Sequence, residues 1–179
     1  MKLLYFKEHL SCINYQINVN TGFVYYNLEK DSVSKIDNSA SPCILFLLDG
    51  EVSIDSGEYQ NVHIEKDKMV LIPQHVDNKI EVIYDAKCLL LFWNKDIRVC
   101  DKVYMNSLSS YKERKKEMCV LPIRDPLQAA LNSVVAYLYA KMQCKHMHLI
   151  KQQEVLLVLR GYYTKKELFT FFSSISIFK

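Results

Sequence analysis

Two histidines in the first half of the chain are the residues whose type and spacing come closest to metal chemistry. His63 and His75 fall on or beside neighbouring apolar runs, and Glu65 lies two residues after His63. Residues i and i+2 of a β-strand point to the same face, so His63 and Glu65 would share one side of a strand. A catalytic metal site needs three converging ligands of this kind. The pattern is a metal-site hypothesis, and a histidine in a turn is the alternative for His75.

Sequence motifs of the common enzyme classes are absent from the chain. It has no GxSxG, no HExxH, no CxxC pair and no glycine-rich phosphate loop, and it contains only 4 glycines. A cradle of backbone N–H groups for phosphates has little to be built from with so few glycines. Since no nucleophile with a neighbouring base stands out, we predict no catalytic residue, no metal, no cofactor and no enzymatic activity.

The thiols and the remaining histidines give weaker signals. The six cysteines are widely scattered along the chain, which predicts small buried hydrophobic side chains rather than disulfides or zinc ligands. His146 and His148 flank Met147 between two predicted helices. We expect an exposed polar turn there rather than a pair of ligands.

Composition places the chain among globular proteins of one domain, or one domain with an added subdomain. It has 179 residues, of which 50% are hydrophobic and 12% aromatic, so a sizeable core is expected. The net charge of +3 is too small to indicate nucleic-acid binding. No apolar stretch is long enough for a signal peptide or a membrane span, so the predicted location is the cytoplasm, without membrane contact.

The elements expected to position these residues are β-strands up to about residue 105. Short runs rich in β-branched and aromatic residues alternate with turn signals such as Asp49-Gly50 and Ser56-Gly57. This pattern is typical of an antiparallel sandwich or barrel. The predicted strands cover 23–29, 43–50, 51–57, 59–65, 68–73, 78–86 and 87–94.

Beyond residue 120 the apolar period changes to that of helices. We predict Asp125 as an N-cap, Pro126 in the first turn, and a helix continuing to 143. A second helix is predicted over 148–161, and Thr164 with Glu167 predicts a capping box that opens a third. The first helix carries one apolar stripe formed by Leu127, Leu131, Val134, Leu138 and Met142.

These patterns predict a mainly β chain with C-terminal helices. We divide it into a barrel over 1–105, a highly charged exposed linker over 106–120, and a helical subdomain over 121–179.

The stretch 43–83 resembles a cupin. It has an apolar strand ending in Asp49-Gly50-Glu51, a hairpin, a charged turn, the run Met69 to Pro73, and a further strand. Metal-binding cupins carry His-x-His and a Glu after the first glycine, whereas Ser53, Asp55 and Glu58 follow Gly50 here. Only His75 matches the position of the last family ligand. The resemblance implies a cupin-like antiparallel jelly-roll barrel followed by a helical hairpin or three-helix tail, without the family's metal site.

The stretch 150–175 resembles the helical hairpin that follows the cupin-like sensor in AraC-family transcriptional regulators of Bacteroides-type bacteria. The matching elements are Lys151-Gln152-Gln153-Glu154, Leu159-Arg160-Gly161-Tyr162-Tyr163, and Lys166-Glu167-Leu168 with Phe171-Phe172. The implied function is the effector-sensing and dimerisation domain of such a regulator. In that family two helix-turn-helix motifs follow the sensor, so contact with DNA is expected only through a C-terminal domain beyond Lys179.

A small antiparallel barrel holds one ligand in its mouth or interior. Our candidates for an effector pocket are aromatic and imidazole side chains of the barrel, with core packing as the alternative for each aromatic: Tyr25, Tyr26, His63, His75, Tyr84 and Trp93. Candidates for a homodimer helix are Leu127, Leu131, Val134 and Leu138, with coverage of the barrel as their alternative. Two other functions stay open: a single-domain metal-dependent cupin enzyme acting on a small sugar or acid, and an interaction module with a filled barrel.

Overall fold

The computed structural model describes residues 6–11, 22–93 and 118–173. The described part of the chain contains a short leading helix, seven strands and three C-terminal helices. In chain order these are α1 Phe6–Ser11, β1 Gly22–Leu28, β2 Val33–Ser34, β3 Cys43–Ser56, β4 Tyr59–Glu65, β5 Lys68–Ile72, β6 Asn78–Phe92, β7 Val120–Pro122, α2 Asp125–Tyr139, α3 Lys145–Tyr162 and α4 Lys165–Phe172.

Two long strands, β3 and β6, pair with each other and between them with every other described strand except β7, which pairs with β5; all the pairing is antiparallel. The described strands form one seven-stranded sheet that folds over near the middle of β3 and β6, so that its two parts share one core. We call these two parts the first sheet and the second sheet. The first sheet has the order β1-β6-β3-β5-β7, and Leu45 of β3 pairs there with Leu90 of β6. In the second sheet β2 joins β6 and β4 joins β3, and Ile54 pairs with Ile80.

A glycine marks the place where β3 passes from one sheet to the other. The register between β3 and β6 shifts around Asp49 and Glu51, and Gly50 between them has a φ of +83°. A Cβ on Gly50 would lie 2.2 Å from the backbone oxygen of Asp85 on β6. The two backbones approach so closely there that only glycine fits.

The space between the two sheets is filled by apolar side chains. Alternation along each strand sends every second residue inward, as Val62 and Ile64 of β4 illustrate. Cys43 and Cys88 belong to this core, and burial raises the pKa of both thiols, to about 12 for Cys88. The buried members are Cys43, Leu45, Leu47, Val52, Ile54, Ile64, Val70, Ile72, Ile80, Val82, Ala86, Cys88, Leu90 and Phe92.

A second core joins the outer face of the first sheet to the three C-terminal helices. Strand residues such as Phe23, Phe46 and Leu89 meet helix residues such as Leu131 and Phe171 in one cluster. The described chain therefore has three layers, in the order helices, first sheet, second sheet.

The predicted architecture is confirmed: a mainly antiparallel sheet is followed by three C-terminal helices. The capping box of Thr164 and Glu167 is confirmed as well. The predicted N-cap is wrong, because Arg124 has the extended backbone of the cap and Asp125 is the first helical residue. Helix α2 ends at Tyr139 rather than at 143, since Lys141 adopts a φ of +61°.

Strand β7 lies across the predicted boundary between linker and helical subdomain. Its three residues pair with β5, so the sheet continues beyond residue 105. Residues 94–117, which include most of the predicted linker, lie outside the described residues. The helices share a core cluster with the first sheet.

Candidate functional site

The two barrel histidines are placed apart from the barrel interior. His63 lies on the outer side of β4, where its Nε2 is 2.6 Å from Oε1 of Glu51 on β3. His75 lies in the turn after Pro73, is exposed and has a φ of +61°. Its backbone N–H donates to the carbonyl of Asn38. His75 therefore has the turn position that was the alternative to a ligand.

Glu51 is the carboxylate that sequence reasoning missed beside His63. The sequence suggested Glu65, which lies on the same strand, whereas the pairing of β3 with β4 brings Glu51 across to the imidazole. Within residues 6–11, 22–93 and 118–173, no group of three His, Cys, Asp or Glu side chains has the arrangement of a metal site.

Tyr25 and Tyr26 point to opposite faces of β1. Tyr25 packs against the helical layer, with its ring 5.4 Å from that of Tyr139 at the end of α2. Burial, and then the hydrogen bond with Tyr139, raise the pKa of Tyr25 to about 12. Burial also raises the pKa of Tyr26, which stays partly exposed.

Trp93 belongs to the core between the first sheet and the helices. Its side chain is 3% exposed, and its ring lies 5.4 Å from that of Phe172 on α4. The indole Nε1 makes no hydrogen bond to any residue that the structure describes. Since Trp93 is the single tryptophan of the chain, its fluorescence reports on the contact of α4 with the sheet.

Tyr84 lines a groove on the surface of the protein. The groove has a volume of about 510 Å³ and is formed by residues 30–33 and 81–84. The ammonium of Lys30 lies 5.8 Å from the centre of the Tyr84 ring. The backbone N–H of Lys30 donates a hydrogen bond to the side-chain carboxylate of Asp85. An aromatic face, an ammonium and the Glu81 carboxylate thus border one open surface.

The six pocket candidates do not line one common cavity. Tyr84 borders the groove, and Trp93 and Tyr25 belong to the helix–sheet core. Tyr26 is partly exposed on the other face of β1, and His63 and His75 lie on the outside. The alternation of strand residues explains this division, because neighbours along a strand face opposite layers.

The four residues predicted for a dimer helix pack within the chain itself, in the core between the helices and the first sheet. Leu127, Leu131 and Val134 are 0% exposed and contact the first sheet, and Leu138 packs partly buried against the same cluster. The apolar stripe of α2 covers the barrel, which was the alternative for these residues. The three fully buried side chains of this stripe have no surface left for a partner.

His148 connects the helical layer to strand β1, one edge of the first sheet. The sequence predicted an exposed turn, which is wrong: His148 lies in the first turn of α3, where its Nδ1 accepts the N–H of Phe23 at 3.0 Å. The imidazole also stacks on the Phe23 ring, at 6.3 Å between centres. Burial lowers the pKa of His148, and a hydrogen bond to the Gln143 carbonyl opposes that shift.

Tyr163 connects the helical layer to strand β7, the opposite edge of the same sheet. Its hydroxyl donates to the Pro122 carbonyl at 2.7 Å and accepts the N–H of Arg124 at 3.1 Å. The Arg124 guanidinium lies over the Tyr163 ring, 4.3 Å from its centre, and pairs with Glu167 at 2.6 Å. The sequence placed Tyr163 and Glu167 in the helical tail but did not indicate their contacts with β7 and Arg124.

Comparison with known proteins gives a limited result. No protein-family model matches the chain, and no curated protein matches it. Solved structures similar to part of it include a cupin-2 domain protein from Shewanella frigidimarina, with 17% identity, a TM-score of 0.34, and coverage of 42% of this chain and 71% of that one. A cupin-family protein with a double-stranded β-helix fold from Methanocaldococcus jannaschii has 15% identity, a TM-score of 0.35, and coverage of 38% and 64%.

An enzyme is also among the similar structures. Bacillus subtilis oxalate decarboxylase has 10% identity and a TM-score of 0.37, over 45% of this chain. The matched region spans only 23% of that enzyme and 64% of the Methanocaldococcus protein. In the described part of this chain, no helix has the length and apolar character needed to cross a membrane.

Proposed function

We propose that the chain is the regulatory module of an AraC-type transcription regulator that acts in the cytoplasm. In this proposal a cupin-like barrel binds a small effector, and the resulting change in the sheet moves the C-terminal helices. No residue is catalytic. Contact with DNA belongs to a further domain outside this chain. The order of a barrel followed by three helices supports the proposal, together with the sequence motifs of the helical tail.

The observation that carries the proposal is the attachment of the helices to both edges of one sheet. His148 of α3 accepts the N–H of Phe23 on β1, and Tyr163 donates to Pro122 on β7. Among the described strands, β1 and β7 are the two ends of the strand order in the first sheet. A change in the twist or width of this sheet therefore moves the points to which the helices are fastened. An effector acts on such a system by binding one arrangement of barrel and helices better than another.

We place the effector in the groove beside Tyr84. The described barrel interior is filled by apolar side chains, whereas this groove offers the Tyr84 ring, the Lys30 ammonium and the Glu81 carboxylate to a small polar molecule. Strand β6 runs from the groove through the bend at Asp85 and into the first sheet, where it pairs with β1. Binding at Tyr84 would thus be transmitted along one strand to the edge that holds His148.

Thermal unfolding of the purified chain with a library of small sugars and acids tests this proposal. A ligand at 100 times its Kd stabilises the folded state by about 2.7 kcal/mol, which raises the Tm by roughly 5–10 °C for a chain of this size. Tyr84→Ala should abolish the shift. Tyr162→Ala is the matched control, because that tyrosine is 55% exposed against 58% for Tyr84 and lies on α3.

A second measurement distinguishes the proposal from the metal-dependent cupin enzyme. Protein purified without added metal is analysed for bound metal and assayed for turnover of the same sugars and acids. Stoichiometric metal with turnover would support the metal-dependent cupin instead. A Tm shift that survives in Tyr84→Ala would show that the effector binds elsewhere.

A homodimer is also part of the proposal, and it needs a surface other than the stripe of α2. Ile150 and Leu157 are 62% and 67% exposed and lie seven residues apart on α3, so both face the same side of that helix. We place the second copy of the chain against this side. Sedimentation equilibrium should show a dimer that Leu157→Glu converts to a monomer, and a monomeric wild type would contradict this part of the proposal.

A further inference from the structure

The imidazole of His148 is a hydrogen-bond acceptor at the junction of α3 with strand β1. Its Nδ1 accepts the backbone N–H of Phe23 at 3.0 Å, so the neutral ring must carry its proton on Nε2. The protonated ring has N–H groups at both nitrogens and accepts nothing. The contact between His148 and Phe23 therefore exists only while the imidazole is neutral.

The backbone around His148 leaves the ring little room to move. A Cβ on Gly22 would lie 2.6 Å from Cγ of His148, so the imidazole rests directly on the glycine that opens β1. The ring also stacks on the Phe23 ring, with an angle of 19° between the planes. The Gly22 backbone therefore restricts the directions in which the imidazole can move away from the Phe23 N–H.

We propose that His148 makes the docking of α3 on β1 sensitive to acid: protonation at Nδ1 sets two N–H donors against each other and releases the first turn of α3 from the edge strand. This inference is independent of the effector proposal, since it concerns only the contact between the helical layer and the sheet. In this proposal the attachment of the helices to the sheet depends on pH.

The neighbouring elements β1 and α2 carry few charged groups. Strand β1 has no ionised side chain, and α2 has a single one, Asp125, at the end of the helix remote from α3's first turn. On β1, burial raises the pKa of the Tyr25 and Tyr26 phenols above their ordinary value. The titratable groups of β1 and the C-terminal half of α2 are Tyr25, Tyr26, Tyr137 and Tyr139. Besides His148, those of α3 and the residues just before it are Lys141, Cys144, Lys145, His146, Lys151, Glu154, Arg160 and Tyr162.

The direction of the pH effect follows from burial. Burial lowers the pKa of His148 below the ordinary value of 6.5, so the unfolded chain takes up the proton first as the pH falls. The contact is complete above about pH 6.5 and is lost as the pH falls through the lowered pKa of the folded protein.

Nuclear magnetic resonance of the whole isotope-labelled chain between about pH 7.5 and pH 4.5 tests the proposal directly. The ring of His148 should titrate with a midpoint below 6.5. The amide signal of Phe23 should follow with the same midpoint. After correction for intrinsic exchange, the Phe23 amide should exchange with solvent on the order of tenfold faster in acid, as expected for one lost hydrogen bond.

Two variants identify the responsible group. In His148→Asn the side-chain oxygen replaces Nδ1 as acceptor and does not titrate, so the Phe23 amide should become independent of pH. His146→Asn is the matched control, because His146 lies two residues earlier on the same helix and is exposed. This control should keep the wild-type response.

The wild-type titration alone is decisive if a variant fails to fold. A Phe23 amide that stays constant while the His148 ring titrates would overturn the proposal, as would a ring that stays neutral throughout this range. The same pH response in His148→Asn as in the wild type would also overturn it.

Discussion

The guanidinium of Arg124 lies 2.6 Å from the carboxylate of Glu167, so the residue that caps α2 is joined to the first turn of α4. Burial opposes ionisation of Glu167, but hydrogen bonds from Thr164 and the Arg124 charge together lower the pKa of that carboxyl. One carboxylate thus completes a capping box and an ion pair between two helices.

Replacement of Glu167 by Gln should destabilise the chain by about 1 kcal/mol near neutral pH, because the pair with Arg124 is lost and both partners are partly exposed. The effect should shrink in acid. A lowered pKa means that the Glu167 contribution is present above about pH 4.5 and is lost as the pH falls through the folded value. Urea unfolding at several pH values measures this, and a difference that grows towards acid would contradict it.

Removal of the Tyr163 hydroxyl should cost about 1–2 kcal/mol, because the Pro122 carbonyl and the Arg124 N–H both lose their partner. The variant is Tyr163→Phe, and its control is Tyr162→Phe, whose ring is exposed. Trp93 fluorescence during urea unfolding is the readout, since Trp93 lies against Phe172 of the same helical layer. Equal stability of the two variants would show that the hydroxyl does not hold β7.

Substitution of Gly50 by Ala should destabilise the chain by roughly 2–4 kcal/mol, because the new Cβ would meet the Asp85 carbonyl and the φ is +83°. Gly161→Ala is the opposite case: a Cβ there has no atom within 4 Å, and the residue is helical. That substitution should stabilise the chain by about 0.5–1 kcal/mol. Thermal unfolding of both variants distinguishes the strained backbone at Gly50 from the ordinary helical backbone at Gly161.

Truncation of Leu131 to Ala should cost about 2–5 kcal/mol, because its side chain is fully buried between α2 and the first sheet. Leu157→Ala should change the stability of the monomer by less than about 0.5 kcal/mol, since that side chain is 67% exposed. Chemical unfolding at low protein concentration compares the two. A small effect at Leu131 would indicate that the stripe of α2 does not belong to the subunit core.

The local pattern of the sequence was sufficient for the element types and for some of their ends. Alternating apolar residues predicted the strands, and the 3.6-residue period from Leu127 predicted that α2 buries one face. Thr164 and Glu167 predicted a helix start, because a capping box depends only on residues three apart. These features come from contacts between near neighbours in the chain, so the sequence by itself determined them.

Contacts between distant residues required the tertiary structure. His63 meets Glu51 only because β3 pairs with β4 in one register, and His148 accepts from Phe23 across 125 positions of sequence. Sequence spacing predicted Glu65 as the carboxylate beside His63, and an exposed turn as the position of His148. The sequence determined which faces are apolar, whereas the register of the strands and the docking of the helices decided which polar groups meet, because both depend on how whole apolar faces pack together.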